Sequence, residues 1–375
     1  MQRIVVLGAG MVGSAIAVDL QKQYAVTSVD IDEIRLGHLK ENYGINVISE
    51  DLSKPELLKK VIKNYDLVIS AVPGSMGYQT LKTIIQNGKN VIDIAFFPED
   101  VLDLDDLARK AGVTAVVDCG VAPGMSNLLL GYHYKRMKVE SFECLVGGLP
   151  MKRTWPYQYK APFSPSDVIE EYIRPARLVE NGKVVIREAL SEPEMVNIDP
   201  VGTLEAFNTD GLRSLIKTVN VPNMKEKTVR YPGHIDYIRV LRETGFFSDQ
   251  PITVKGQTVV PLDVSSNLLF KQWELMPEEP EFTVMQITIS GTEHDQPQTY
   301  IYDMYDQYDK ITQTSSMART TGYACTAVAN LVLMGQFSRK GISPPEYLGE
   351  DSENVDFVLQ YLKERNIIYH VRKQQ

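Results

Sequence analysis

Cysteine is scarce in this chain: Cys119, Cys144 and Cys325 are the only three in 375 residues, far apart and odd in number. That excludes a disulfide framework and a paired-cysteine zinc site, so no metal is expected, and it fits a reducing, cytoplasmic setting. Basic residues are not in excess either. Thirty-nine Lys and Arg stand against 48 Asp and Glu, a formal charge of −9. A broad electrostatic footprint for nucleic acid or anionic lipid is thereby excluded, and a small-molecule partner is expected. No apolar stretch reaches the roughly 18 residues that a membrane-spanning helix requires. The opening "MQRIVVLGAGMVG" sets a basic residue before an apolar run, but the run is short and broken by glycine, which argues against a signal peptide. Internal repeats and low-complexity tracts are absent, and the length accommodates two domains, each with its own core.

Apolar runs of strand length fill the first third of the chain: "RIVVL", "AVTSV", "INVIS", "DLVISAV", "NVIDIA" and "VTAVVD". They alternate with helix-like segments such as "SAIAVDLQKQ" and "LDDLARKAG". This alternation predicts βα units on a parallel sheet covered on both faces, a doubly wound Rossmann domain over residues 1–123. After Asp118 the rhythm changes. A hairpin turn is expected at Asn181-Gly182, and "FTVMQITISG" and "TYIYDMYDQYD" alternate with period two, so residues 124–315 read as an α+β domain with a mostly antiparallel sheet. From 316 to 375 a long apolar-faced helix, Pro344-Pro345 and a last helix are expected to pack back on the first domain and complete it.

Strand "RIVVL" runs directly into Gly8-Ala9-Gly10-Met11-Val12-Gly13 and then a helix, the context in which a GxGxxG pattern signifies dinucleotide binding. Gly8 makes the tight turn, Gly10 lets backbone approach the pyrophosphate, and Gly13 lets helix pack close to strand, with Met11 and Val12 opening the helix toward phosphate. Asp30 ends the second strand 20 residues after Gly10, where a carboxylate accepts the ribose hydroxyls and repels a 2′-phosphate. NAD is therefore expected over NADP, with Arg35 near enough in sequence to count against a strict choice. Asp32 reads as a helix cap, and Asp51 either reaches the adenine edge or caps the next helix. Ala71, Val72 and Pro73 close the fourth strand at the crevice where ligands bind doubly wound sheets.

Five later blocks carry a resemblance: "VVDCGVAPGMSNLL", "SPSDVIEEYIRPARLVENGK", "EAFNTDGLRSL", "KTVRYPGHIDYIRVLRETGFF" and "SMARTTGYACTA". Together they resemble the saccharopine dehydrogenase family, and most nearly its lysine 6-dehydrogenase branch. Saccharopine-forming members typically show an Asp-Pro-Gly-Ile-Asp-His-like turn where this chain has Ala122-Pro123-Gly124-Met125-Ser126-Asn127. The branch implies NAD-linked oxidation of L-lysine at its ε-carbon, with release of ammonia and cyclisation of the semialdehyde. It also implies a homodimer or dimer-based oligomer, with the two alternating strands as the extended sheet. The alternatives are a reductase that joins an amine to an aldehyde, as in saccharopine or carboxyspermidine synthesis, and a non-catalytic dinucleotide-binding sensor.

That chemistry needs a proton acceptor, because a lysine ammonium of pKa about 10.4 must lose its proton before hydride can leave. His234, expected in the first turn of a helix after Gly233, is the first candidate and Lys160 the second. Arg213, Arg230 and Arg174 are candidates for the bidentate carboxylate clamp, each with a surface ion pair as the plainer role. Asp118 and Asp210 are candidates for binding ammonium, although Asp210 equally suits a helix cap. Tyr157, with Trp155 and Tyr159, forms an aromatic set that walls a pocket or fills core. Thr320, Thr321 and Tyr323 are expected to begin the late helix, Thr320 either bonding cofactor or capping. Cys119 has no nearby base in sequence, and amine oxidation needs no thiol nucleophile.

Overall fold

The computed structural model describes residues 1–163, 165–276 and 279–374. They divide into two compact units: Met1–Lys138, Lys217–Val219 and Met317–Ile368 form the first, and Val139–Ile216, Asn220–Ser316 and the C-terminal strand form the second.

In the first unit the expected strands form as β1 (Arg3–Leu7), β2 (Ala25–Asp30), β3 (Asn46–Ser49), β4 (Leu67–Ser70), β5 (Val91–Asp93) and β6 (Thr114–Val116). The helices between them are α1 (Met11–Leu20), α2 (Glu33–Tyr43), α3 (Pro55–Ile62), α4 (Gly74–Gln86) and α5 (Asp105–Lys110). The strands pair in parallel in the order β3-β2-β1-β4-β5-β6, and a late strand, β17 (Gly341–Ser343), extends the sheet beyond β6. This is the doubly wound order whose reversal between β1 and β4 opens a crevice at the strand ends. Burial follows the apolar runs: Val5, Leu7, Val68, Val91 and Ala115 are fully enclosed in one cluster, as a sheet covered on both faces requires.

The units divide differently from the expected cut at 123/124. Helix α6 (Met125–Tyr134) stays in the first unit, against the short helix Pro345–Gly349. A Cβ on Gly131 would lie 2.1 Å from the Glu346 carbonyl, and one on Gly349 2.1 Å from that of Leu128, so glycine on both sides permits backbone contact. The late helix Ser316–Leu333 and helix Ser352–Lys363 also belong here. Buried Asp19 on α1 fastens them: its carboxylate accepts from Thr326 (2.8 Å), Tyr361 (2.7 Å) and Arg365 (2.9 Å). The tail does not stay with them throughout. Tyr369–Gln374 pairs in the second unit's sheet.

That sheet is mixed and mostly antiparallel. Its strands are β7 (Lys138–Pro150), the hairpin β8–β9 (Ala176–Glu180, Lys183–Arg187), β10 (Glu194–Ile198), β11 (Gly202–Asn208), β12 (Asn223–Arg230), β15 (Glu281–Glu293), β16 (Gln296–Gln307) and β18 (Tyr369–Gln374). The main order is β10-β11-β12-β7-β15-β16-β18, with β7 and β12 parallel and β8 beside β12. Asn181 and Gly182 turn β8 into β9 with φ of 50° and 75°, the left-handed pair an Asn-Gly hairpin supplies. Period-two alternation separates two cores. Leu204, Ala206, Val229 and Val284 bury one face, while Phe207 turns to the other. There α7 (Pro165–Ile173), α9 (His234–Glu243) and α10 (Pro261–Trp273) pack, burying Ile169, Tyr172, Ile235, Ile238 and Trp273. The short α8 (Leu215–Thr218) and a separate hairpin, β13 (Ile252–Val254) with β14 (Gln257–Val259), complete the elements. Among the described residues no helix is long and apolar enough to cross a membrane.

Candidate functional site

The glycine loop of the first unit has the close packing that a dinucleotide cradle needs. Gly8 has φ +104°, and a Cβ there would lie 2.3 Å from the Ala71 carbonyl oxygen; one on Gly13 would lie 2.2 Å from that of Gly8. Neither contact is physically tolerable, so both positions require glycine. Gly10 differs: its nearest neighbour would be an Arg35 nitrogen at 3.8 Å, leaving its face open to an approaching ligand. It is also the N-cap of α1 and makes no side-chain cap bond, and the first turn carries no acid. The helix therefore presents unpaired N–H groups and a partial positive charge at the loop. Met11 is exposed and Val12 half-buried at this end. These features fit a bound pyrophosphate.

Asp30 stands at the end of β2 beside that loop. Its Oδ2 accepts from the Ala9 N–H at 2.6 Å and its Oδ1 from the Asp32 N–H at 2.9 Å. Asp32 caps α2, accepting from the Ile34 and Arg35 N–H groups, as its sequence position implied. Asp51 closes a turn, accepting from the Ser53 N–H and hydroxyl and pairing with Lys54; the Ser53 hydroxyl, then Lys54, lower its pKa. Helix α3 starts only at Pro55, so Asp51 is not its N-cap. Of the β4 end, Ala71 backs the glycines and Pro73 is exposed, but Val72 turns into the core. Asp118, just past β6, is buried with φ 51°. Thr320 lies in the second turn of the late helix, which begins at Ser316, so neither it nor Thr321 starts that helix. The Thr320 hydroxyl turns back to the Met317 carbonyl. Cys119 and Cys325 are both buried; burial first, then the Cys119 thiol, pushes the Cys325 thiol well up, so Cys325 is not set up as a nucleophile.

In the second unit, His234, Arg230 and Tyr157 do come together, around residues the sequence did not mark. Gly233, with φ +90°, turns the end of β12 into α9 and points His234 inward, only 1% exposed. His234 Nδ1 lies 2.8 Å from the Tyr157 carbonyl and Nε2 2.8 Å from the Tyr172 hydroxyl. A carbonyl only accepts, so Nδ1 carries the proton and Nε2 accepts from Tyr172. Burial first, and then the Arg230 cation, press the His234 pKa down to about 3. Arg230 donates to Tyr172 (3.1 Å), the Val229 carbonyl (3.0 Å) and Glu171 (2.8 Å), and lies over the Tyr159 ring. Trp273 packs edge-on against Tyr157, Tyr159 and Tyr172.

This geometry corrects three expectations. His234 is not a proton acceptor facing substrate: it is neutral near pH 7 with both nitrogens engaged, and it orients Tyr172. Arg230 is not an available carboxylate clamp, because Glu171 is its internal counter-ion. Lys160 is committed elsewhere: its Nζ donates to the Glu274 carbonyl at 2.7 Å and pairs with Glu279. The remaining candidates are placed as follows. Arg174 pairs with Glu170. Asp210 caps nothing; both its oxygens hold Arg177, at 2.8 Å each. Arg213 is buried with φ 49°, a left-handed backbone uncommon outside glycine. Trp155 is largely exposed.

Sequence reading missed Glu171 and Tyr172, although both stand in "IEEYIRPAR". Glu171 is the network's solvent-facing end, its side chain 22% exposed against 2% for Arg230. Burial raises its pKa, with Arg230 working downward. Among the described residues no group of three or more His, Cys, Asp or Glu side chains is arranged to hold a metal ion.

Residues 4–116 match the model of the saccharopine dehydrogenase NADP binding domain, and residues 120–368 that of the saccharopine dehydrogenase C-terminal domain. A saccharopine dehydrogenase [NADP(+), L-glutamate-forming] of Pyricularia oryzae is 26% identical over 216 residues, covering 54% of this chain and 48% of that protein. The mitochondrial alpha-aminoadipic semialdehyde synthase of Mus musculus is 22% identical over 456 residues, covering 99% of this chain and 48% of its own length. The chain thus spans about half the length of these relatives. A carboxyaminopropylagmatine dehydrogenase of Synechocystis is 22% identical, with 94% of each chain covered. The fold is that of the apo saccharopine dehydrogenase (L-Glu forming) of Saccharomyces cerevisiae, with a TM-score of 0.80, 20% identity and 100% of both chains covered. With both family models matched in order along nearly the whole sequence, this chain belongs to the saccharopine dehydrogenase family of oxidoreductases.

Proposed function

We propose that the protein is an NAD-linked dehydrogenase that oxidises the ε-carbon of L-lysine, releasing ammonia and giving a semialdehyde that cyclises. The observation that carries this reading is the turn Ala122–Asn127. Where saccharopine-forming members resemble one another in an acidic, histidine-bearing turn, this chain has Ser126 and Asn127, both fully buried. The Asn127 side chain is spent internally: it accepts from the Gly124 N–H at 3.2 Å and donates to Glu346 at 3.1 Å. Residues 122–127 themselves include no charged side chain to receive a second amino acid, which suits a substrate with one.

Bound NAD would be held by Gly8, Gly10, Gly13 and Asp30, and its nicotinamide supplies the hydride acceptor. The protein's own task is to take the ammonium proton and keep the amine oriented. We assign proton acceptance to Glu171, whose raised pKa and partly exposed carboxylate suit a base better than His234 does. Arg230 fixes that carboxylate, and His234 fixes the Tyr172 hydroxyl that Arg230 also holds.

A second reading is a reductase joining an amine to an aldehyde. It is favoured by the full-length match to the Synechocystis carboxyaminopropylagmatine dehydrogenase. Purified protein mixed with NAD or NADP and L-lysine, ornithine, saccharopine or diamines, followed by nicotinamide absorbance, separates the two. Reduction of NAD with lysine and release of ammonia is the expected result; turnover of saccharopine without lysine would overturn it.

A further inference from the structure

We infer that Tyr172 and Tyr159 are positioning residues for the Glu171 carboxylate: together they hold the Arg230 guanidinium against it, so that it is ionised at neutral pH. The inference rests on the reading of Glu171 as proton acceptor and adds to it the two side chains that keep that carboxyl group charged.

Hydrogen-bond direction in this network is imposed from both ends. The Tyr157 carbonyl can only accept, so His234 Nδ1 donates to it at 2.8 Å and Nε2 is left to accept. Arginine can only donate, so the Tyr172 oxygen receives Arg230 Nε at 3.1 Å and turns its own proton to His234 Nε2 at 2.8 Å. The far edge of the guanidinium then meets the Val229 carbonyl through Nη1 at 3.0 Å and Glu171 through Nη2 at 2.8 Å. Tyr159 fixes the plane. Its ring centre lies 4.5 Å from the guanidinium carbon, and the ring is itself held by His234, with centroids 5.0 Å apart, and edge-on by Trp273 at 5.7 Å. Arg230 is buried, so a donor that loses its acceptor has no bulk water to turn to and the side chain must reorient.

The charges that face Glu171 give this aim its consequence. Burial is the largest influence on the carboxyl group and favours the neutral acid; the Arg230 charge, and then its hydrogen bond, work the other way. On the same helix Asp167 works upward and Arg174 downward, both more weakly than Arg230. The Tyr159 and Tyr172 phenols also face it and stay neutral, burial holding Tyr159 well above its ordinary range and Tyr172 up at about 12. Ionisation of Glu171 therefore leans on Arg230, and the direction of Arg230 leans on the Tyr172 hydroxyl and the Tyr159 ring. With either lost, the carboxyl group takes its proton at a higher pH, and in that state it cannot accept one from an ammonium.

The test is a pH profile with a second readout besides turnover. On the full chain, kcat/KM for L-lysine with NAD is measured across pH for wild type, Tyr172→Phe, Tyr159→Leu and Tyr159→Phe. The Glu171 carboxyl group is titrated in the same proteins by infrared spectroscopy, its band assigned by its loss in Glu171→Gln. Tyr172→Phe and Tyr159→Leu should move the acid limb and the infrared titration upward together by about one pH unit, the lower end of what an opposite charge contributes to a carboxyl pKa. Tyr159→Phe, which keeps the ring, should keep the wild-type profile. Slower turnover with the infrared titration unmoved would make the two tyrosines merely structural and overturn the inference. If lysine is not turned over, or Glu171→Gln keeps full turnover, the proton-acceptor reading fails by itself, and the infrared titration still decides whether the tyrosines set the charge of Glu171. Should Tyr172→Phe fold poorly, the pair Tyr159→Leu and Tyr159→Phe carries the same comparison.

Discussion

Lowering the pH from 7 to 5 should destabilise the protein by a definite amount through His234. In the unfolded chain an imidazole titrates near 6.5. In the fold it stays neutral until about pH 3, because it is buried, beside the Arg230 cation, and its Nε2 already accepts from Tyr172. The folded pKa is depressed, so the unfolded state binds the proton first. The contribution is fully present above about pH 6.5 and is lost progressively as pH falls toward 3. Each pH unit within that window costs about 1.4 kcal/mol, so the loss between pH 7 and pH 5 is about 2 kcal/mol. The assay is urea unfolding at both pH values for wild type and His234→Asn. The asparagine amide can still donate to the Tyr157 carbonyl but takes up no proton. The variant is expected to be weaker at pH 7, and its further loss on going to pH 5 should be about 2 kcal/mol smaller than that of wild type. Equal losses in the two proteins would show that His234 titrates normally in the fold, and the neutral, doubly bonded imidazole would have to be abandoned.

Two further outcomes follow from the same kind of reasoning. Glu171→Gln should lower turnover by 10²-fold or more, on the order of a general base's contribution, while leaving NADH affinity unchanged; unaltered turnover removes Glu171 from proton transfer. Asp19→Asn should destabilise the first unit by about 3–5 kcal/mol, because it breaks a buried ion pair and leaves the Arg365 cation uncompensated. Burial is the largest single influence on Asp19 and works upward, but Arg365, Tyr361 and Thr326 together carry its pKa below the ordinary value. Its contribution is therefore present above about pH 4 and lost as pH falls below that, a slope that acid unfolding of Asp19→Asn should lack.

Much of the first unit was legible because its signals are local. A glycine loop needs residues within one turn of each other, and Asp30 is placed by the end of a strand that its own apolar run defines. The Asn181-Gly182 hairpin was legible for the same reason, since two consecutive left-handed residues suffice to specify it. The partner turn of the long hairpin uses His294 and Asp295, with φ of 49° and 61°. The same geometry is reached there without glycine, and no sequence signal announced it. Helix α6 read as part of the second domain because the change of rhythm after Asp118 precedes it; its contact with helix Pro345–Gly349 depends on glycines more than 200 positions apart.

The cluster around His234 shows why residue type alone could not place these side chains in their surroundings. His234 was expected at a helix start after Gly233, and it is there. Whether an imidazole in that place is a base or a satisfied core group depends on what faces it, and Tyr172 is 62 positions away. Arg230 was likewise a sound candidate by type, but Glu171, 59 positions away, already neutralises it. By itself the sequence determined the order of strands and helices, the dinucleotide loop and the family, since these rest on periodicity, turn chemistry and residues close in the chain. Tertiary structure alone decided which ionisable groups are buried and paired: long-range packing sets burial, and burial together with a charged neighbour presses His234 to about 3, while the Glu171 side chain stays partly exposed.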